Sequence, residues 1–168
     1  MSTIYRVPSG AMQPTLVVGQ RVEVDEDAYH TAPPAIGDVV VFYAPLNVEP
    51  AQPSDAATGA ACAVPRPGPG PERYIKRIVA GAGDVISIAR GFIVRNGSTE
   101  TSGHVKAGDE RLDEDFPTPI VIPPHTWYLL GDNRARSMDS RWWGPIPNAW
   151  IIGKLELAAR TSTTEIEG

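Results

Sequence analysis

Apolar residues in this chain alternate or cluster in short runs between turn residues, and nowhere recur at helical spacing long enough to seat a helix on a core. Arg21-Val22-Glu23-Val24-Asp25 alternates polar and apolar, and Val39-Val40-Val41-Phe42-Tyr43 is a β-branched and aromatic run after the turn-like Gly37-Asp38. Residues 74–79, 85–88, 92–94, 120–122, 127–130 and 150–157 have the same character, punctuated by Gly81, Gly83, Gly91, Gly97, Gly131 and Gly153. With 16 glycines and 17 prolines among 168 residues, punctuators make up about a fifth of the chain, too many for a helical protein. The expectation is an all-β fold of antiparallel folded sheets or a barrel, in one domain spanning residues 1–168.

Two segments depart from the strand pattern. Residues 45–73 turn to Pro, Ala, Gly and Ser, with Pro65-Arg66-Pro67-Gly68-Pro69-Gly70-Pro71 near their end, and are expected to form one long mobile loop without a packed strand. Residues 97–119 form a polar insertion, expected to be a small hairpin region. Its acidic residues, Asp109-Glu110 and Asp113-Glu114-Asp115, read as a solvated charge run rather than a catalytic carboxylate pair. Residues 161–168 read as a frayed tail.

The charge balance, 15 basic against 20 acidic residues for a net charge of −5, leaves no basic footprint, so no nucleic-acid partner is expected. The single Cys62 has no disulfide partner within the chain. His30, His104 and His125 share no metal-ligand spacing with it or one another, so neither metal nor other cofactor is called for. The longest apolar run, Val39-Val40-Val41-Phe42-Tyr43-Ala44, is far short of the roughly 20 residues of a spanning helix, and the N-terminus lacks a basic-then-apolar leader. No membrane span is expected. The chain would be cytoplasmic if complete, and at the outer face of the cytoplasmic membrane if it is an excised ectodomain.

Three segments carry chemistry: Tyr5-Arg6-Val7-Pro8-Ser9-Gly10-Ala11-Met12-Gln13-Pro14-Thr15-Leu16, then Tyr74-Ile75-Lys76-Arg77-Ile78-Val79, then Gly131-Asp132-Asn133-Arg134-Ala135-Arg136-Ser137-Met138-Asp139-Ser140-Arg141-Trp142-Trp143-Gly144-Pro145. In this order they resemble the boxes of the type I signal peptidases, serine endopeptidases that use a serine and a lysine to remove signal peptides at the outer face of the membrane. Val18-Gly19-Gln20-Arg21-Val22, Gly37-Asp38-Val39-Val40-Val41-Phe42 and Ile151-Ile152-Gly153-Lys154 resemble further family strands, so the likeness runs from about Tyr5 to Leu155.

The resemblance implies that Lys76 is the general base and that Ser137 orients it. It implies that Asp132 and Asp139 pair with Arg77 and Arg141 to hold the third box in place. Ser9 and the backbone N–H of residue 11 would form an oxyanion hole, and Val7, Met12, Leu16, Tyr74 and Ile75 would line a pocket for the small residues before the scissile bond. The residues themselves support the lysine's role: an amine serves as a base near neutral pH only when desolvated. Tyr74, Ile75, Ile78 and Val79 make a strand apolar enough on both sides to bury its stem. By itself, however, a strand lysine ordinarily points to solvent, Gly-Asp-Asn is a common turn, and the pocket residues read equally well as core.

One position breaks the family pattern. Where the family reads Ser-Gly-Ser-Met, with the second serine as nucleophile, this chain reads Ser9-Gly10-Ala11-Met12. Ala11 has no oxygen to attack a carbonyl, so the expectation is a signal-peptidase-like scaffold that does not cleave at a useful rate. An introduced alanine, a natural homologue kept as a peptide-binding module, and a scaffold repurposed for acid or base chemistry by Lys76 on a small-molecule ligand all satisfy this sequence. The partner is accordingly a peptide or preprotein substrate, or a small molecule in the same groove.

Overall fold

The computed structural model describes residues 1–46, 59–101, 103–106 and 115–156. Eleven strands are found among them: β1 (Ser2–Arg6), β2 (Arg21–Asp25), β3 (Val39–Pro45), β4 (Pro69–Gly81), β5 (Val85–Ala89), β6 (Phe92–Arg95), β7 (Ser98–Thr99), β8 (Phe116–Val121), β9 (Thr126–Leu130), β10 (Ile146–Pro147) and β11 (Ile151–Leu155). The described helices are two four-residue α-helices, α1 (Ala28–Thr31) and α2 (Ser140–Trp143), and three single 3-10 turns. None is long and apolar enough to cross a membrane.

The strands form a seven-stranded sheet in the order β1-β2-β11-β3-β4-β9-β10 and a four-stranded sheet in the order β7-β6-β5-β8, and every paired strand runs antiparallel. The all-β expectation holds. The apolar run of β3 belongs at the centre of the larger sheet: Val39 and Val41 pack into a cluster with Val7, Met12, Leu16, Val22, Val24 and Leu155. Val40 and Phe42 face the other way, into a cluster with Ile78, Leu129, Trp143 and Ile146. A strand covered on both faces needs no polar alternation, and each such side chain contributes roughly 1.5–3 kcal/mol by leaving water. A third cluster, with Ile86, Ile88, Ile93, Ile120, Ile122 and Tyr128, joins the smaller sheet to the end of β4 and to β9.

The chain between residues 45 and 73 is not one loop. Pro69–Arg73 extend β4, with Pro69 opposite Pro45 and Arg73 opposite Tyr43. Ala61 and Cys62 are buried; the Cys62 N–H donates to the Arg141 carbonyl, and the Tyr128 hydroxyl donates to the Cys62 carbonyl. Composition misled here because prolines are tolerated where a strand leaves its pairing irregular, as at the Tyr43/Pro45 shift. The strand expected at 120–122 begins earlier, at Phe116, inside the segment taken as polar insertion. β1, a strand the sequence pattern does not predict, overlaps the first box only at Tyr5 and Arg6. Residues 47–58, the acidic positions 109–114 and the tail 161–168 lie outside the described residues.

Candidate active site

The register of the larger sheet brings the second and third boxes together. Arg77 of β4 pairs with Leu130 at the end of β9, so the chain leaving β9 passes the level of Lys76 and Arg77. Neighbouring residues on a strand point to opposite faces; Arg77 reaches Asp132 of that passing segment directly, and Lys76 reaches Asp139 through Ser137.

Lys76 is 4% exposed, and its Nζ donates to the Ser137 Oγ at 2.8 Å. The Ser137 hydroxyl in turn donates to Asp139 Oδ2, also at 2.8 Å. Asp139 accepts further bonds from the Gly131 N–H at 3.1 Å, from Arg141 Nε at 2.9 Å and from Arg141 Nη2 at 3.0 Å. All of these groups are buried. Burial pulls the Lys76 amine down to about 8, against the opposing attraction of Asp139 and with the repulsion of Arg141 adding to it. Burial alone would push the Asp139 carboxyl up, but Arg141, Lys76 and the Gly131 N–H together hold it below its ordinary value. Because Ser137 gives its only hydrogen to a charged carboxylate, it can meet the lysine only as an acceptor.

Arg77 takes the second carboxylate in a two-pronged pair, Nε to Asp132 Oδ1 and Nη2 to Asp132 Oδ2, both at 2.8 Å. Its Nη1 donates to the Gly37 carbonyl. The pairings are thus Arg77 with Asp132 and Arg141 with Asp139. Thr15 of the first box donates its hydroxyl to Asp132.

The first box packs against the third through Asn133. Its backbone N–H donates to the Ala11 carbonyl at 2.9 Å, and its side-chain Nδ2 donates to the Gly10 carbonyl at 3.0 Å. Gly131 makes the approach possible: a Cβ there would lie 2.2 Å from Ser137 Oγ and 2.7 Å from the Ala11 carbonyl oxygen. Residues 10–12 form a 3-10 turn capped by Ser9, whose exposed Oγ accepts the Ala11 N–H at 3.4 Å.

A cleft of about 610 Å³ opens between these segments, and both Ala11 and Lys76 line it. Val7, Met12, Tyr74 and Ile75, expected as pocket residues, also line it, together with Pro8, Ser9 and Met138 and the charged Glu72, Arg73 and Arg136. Val7 and Met12 belong to the core as well, so both of their readings hold at once. Leu16 does not reach the cleft; it is 1% exposed and packs in the core cluster of Val22 and Leu155.

Four participants escaped the sequence reading. Thr15 and Asn133 act across more than a hundred residues of chain, and Gly131 was read only as turn punctuation. Arg134, fully buried, ion-pairs with Glu100 and donates to the Gly91 and Gly131 carbonyls, fixing the third box to the smaller sheet. The one available signal was the density of polar residues in the third box, which says that partners exist and not which.

Residues 1–159 match the family described as signal peptidase, peptidase S26. A probable thylakoidal processing peptidase 2 of Arabidopsis thaliana is 34% identical over 148 residues, covering 88% of this chain and 35% of its own length. A signal peptidase I of Leptolyngbya laminosa is 30% identical over 149 residues, covering 88% of this chain and 64% of its own. The chain therefore spans between about a third and two thirds of these relatives. A crystal structure of a signal peptidase I from Enterococcus faecalis superposes with a TM-score of 0.48 at 19% identity, covering 72% of this chain and 95% of that one.

Proposed function

Because the chain belongs to the signal peptidase family, we propose that its cleft is a signal-peptide groove in which everything but the attacking oxygen is in place. The observation that carries this reading is the relay from the buried Asp139 through Ser137 to Lys76, which lines the cleft together with Ala11. In this reading a peptide segment with small residues before the scissile bond lies along Val7, Met12, Tyr74 and Ile75. Lys76, neutral in a useful fraction near pH 8, takes the proton of a nucleophile; Ser137 accepts one lysine N–H and so turns the amine lone pair away from itself. The Ala11 N–H and the Ser9 hydroxyl stabilise the oxyanion once the carbonyl oxygen replaces their mutual contact.

Since Ala11 offers no hydroxyl, no acyl-enzyme forms and the chain as it stands does not cut. Preproteins are the substrate class in this reading, in line with the names of the relatives. The test is cleavage of an Ala-X-Ala signal-peptide substrate in detergent by the chain and by its Ala11→Ser form. Cleavage by the serine form alone is the expected result. Two folded but inactive proteins would overturn the reading and favour a groove adapted to non-proteolytic binding.

A further inference from the structure

We propose that Lys76 is a carbonyl-reactive amine, and that the cleft takes a small apolar aldehyde which Lys76 Nζ holds as an imine. With Ala11 offering no hydroxyl, the buried amine of Lys76 is the strongest nucleophile on this wall once it is neutral. The inference uses the same cleft as the peptidase reading but does not depend on peptide cleavage.

Three features of the site lead here. An ammonium carries three donors, yet among the described residues Lys76 Nζ has a hydrogen bond only to Ser137. Burial disfavours the charged form more than the attraction of Asp139 supports it, and the free amine is favoured relative to an exposed lysine. Next, the Ser137 hydrogen is committed to Asp139, so the serine consumes an N–H of the lysine and never its lone pair. Third, Ala11, Val7, Met12, Ile75 and Tyr74 give the cleft that Lys76 lines a mainly apolar surface, with charged side chains also on its wall. The apolar part of this lining suits a short alkyl chain.

The chemistry balances without any further reactant. The Nζ lone pair forms a bond to the aldehyde carbon while the carbonyl π pair moves to oxygen, and one nitrogen hydrogen passes through water to that oxygen. The nitrogen pair then expels the hydroxyl, which leaves as water with the second nitrogen hydrogen, giving C=N. When the imine is protonated, its N–H donates to Ser137 as the amine did, and Asp139 stands two hydrogen bonds away as its counter-charge. With its proton affinity drawn down to about 8, roughly one Lys76 in ten is free amine at pH 7, against fewer than about one in a thousand for an ordinary lysine.

The chain has three lysines, Lys76, Lys106 and Lys154, which makes the experiment clean. Lys106 is exposed, and Lys154 is half-exposed beside Asp38. The intact protein is incubated with butanal and sodium cyanoborohydride, which reduces any imine to a butylamine, and each site is followed by peptide mapping between pH 6 and 9. Labelling at Lys76 at least tenfold faster than at Lys106 and Lys154, climbing with pH toward a plateau above about 8, is the expected result. The Lys76→Met form should lose that fast phase and keep the slow ones. Lys76 labelling no faster than the two exposed lysines, in protein whose circular dichroism shows it folded, overturns the proposal whether or not Ala11→Ser restores peptide cleavage.

Discussion

The Nζ of Lys76 and the Oγ of Ser137 lie 2.8 Å apart across 61 residues of chain, both buried. β4 supplies the amine and the turn after β9 supplies the hydroxyl, so the contact exists only because the Arg77–Leu130 register aligns those two strands. A polar pair inside a core is retained against a desolvation cost, and that cost is measurable.

Lys76 binds its proton less tightly folded, at about 8 against 10.5 for the free side chain. Between these values the unfolded chain holds more protons than the folded one, so stability from this group rises with pH across that window and is lowest below pH 8. The shift is worth about 3 kcal/mol. Lys76→Met should therefore be more stable than the parent at pH 7, with the advantage shrinking toward pH 10.5. Urea titrations at pH 7 and pH 10 check this, and an equal difference at both would count against a desolvated lysine.

Asp132 neutralises the buried guanidinium of Arg77 through two hydrogen bonds of 2.8 Å. Asp132→Asn leaves that cation without its charge partner and should cost about 3–5 kcal/mol. The double variant Arg77→Met with Asp132→Asn should recover part of this loss. Thermal unfolding of the three variants reads the difference, and an unaltered Tm in Asp132→Asn would refute it.

Gly131 sits where a Cβ would overlap Ser137 Oγ and the Ala11 carbonyl. The backbone oxygen cannot swing aside as a flexible side chain does, so Gly131→Ala must push the first and third boxes apart. The expected outcome is a destabilisation of about 2–4 kcal/mol. In the Ala11→Ser background, peptide cleavage should also fall by at least about a hundredfold.

Asn133 Nδ2 holds the Gly10 carbonyl, which belongs to the same planar peptide unit as the Ala11 N–H. Fixing one end of that plane aims the other. In the Ala11→Ser background, Asn133→Asp should lower kcat about tenfold to a hundredfold while KM changes by less than about twofold, the signature of a lost oxyanion donor. In the parent chain, hydrogen exchange at the Ala11 amide should accelerate. Exchange and kcat both unchanged would show that Asn133 does not aim this peptide.

The sequence alone carried the β class, most strand positions and the three chemical boxes, because each is written locally: a two-residue alternation, a turn residue, a short motif such as Ser9-Gly10-Ala11-Met12. It also carried the alanine at position 11, which is a matter of residue identity and needs no coordinates. The extension of β4 through Pro69–Arg73 was illegible because the pairing that decides it comes from β3, not from its own composition. Likewise, nothing local distinguishes Leu16, which went to the core, from Met12, which reached the cleft. The partners of Asp132, the reach of Asn133 to Gly10 and the tight seat of Gly131 were decided only when antiparallel registers brought distant segments within hydrogen-bond range. Burial is a property of that assembly and not of the strand Tyr74-Ile75-Lys76-Arg77, and it is burial that draws the Lys76 amine down to about 8.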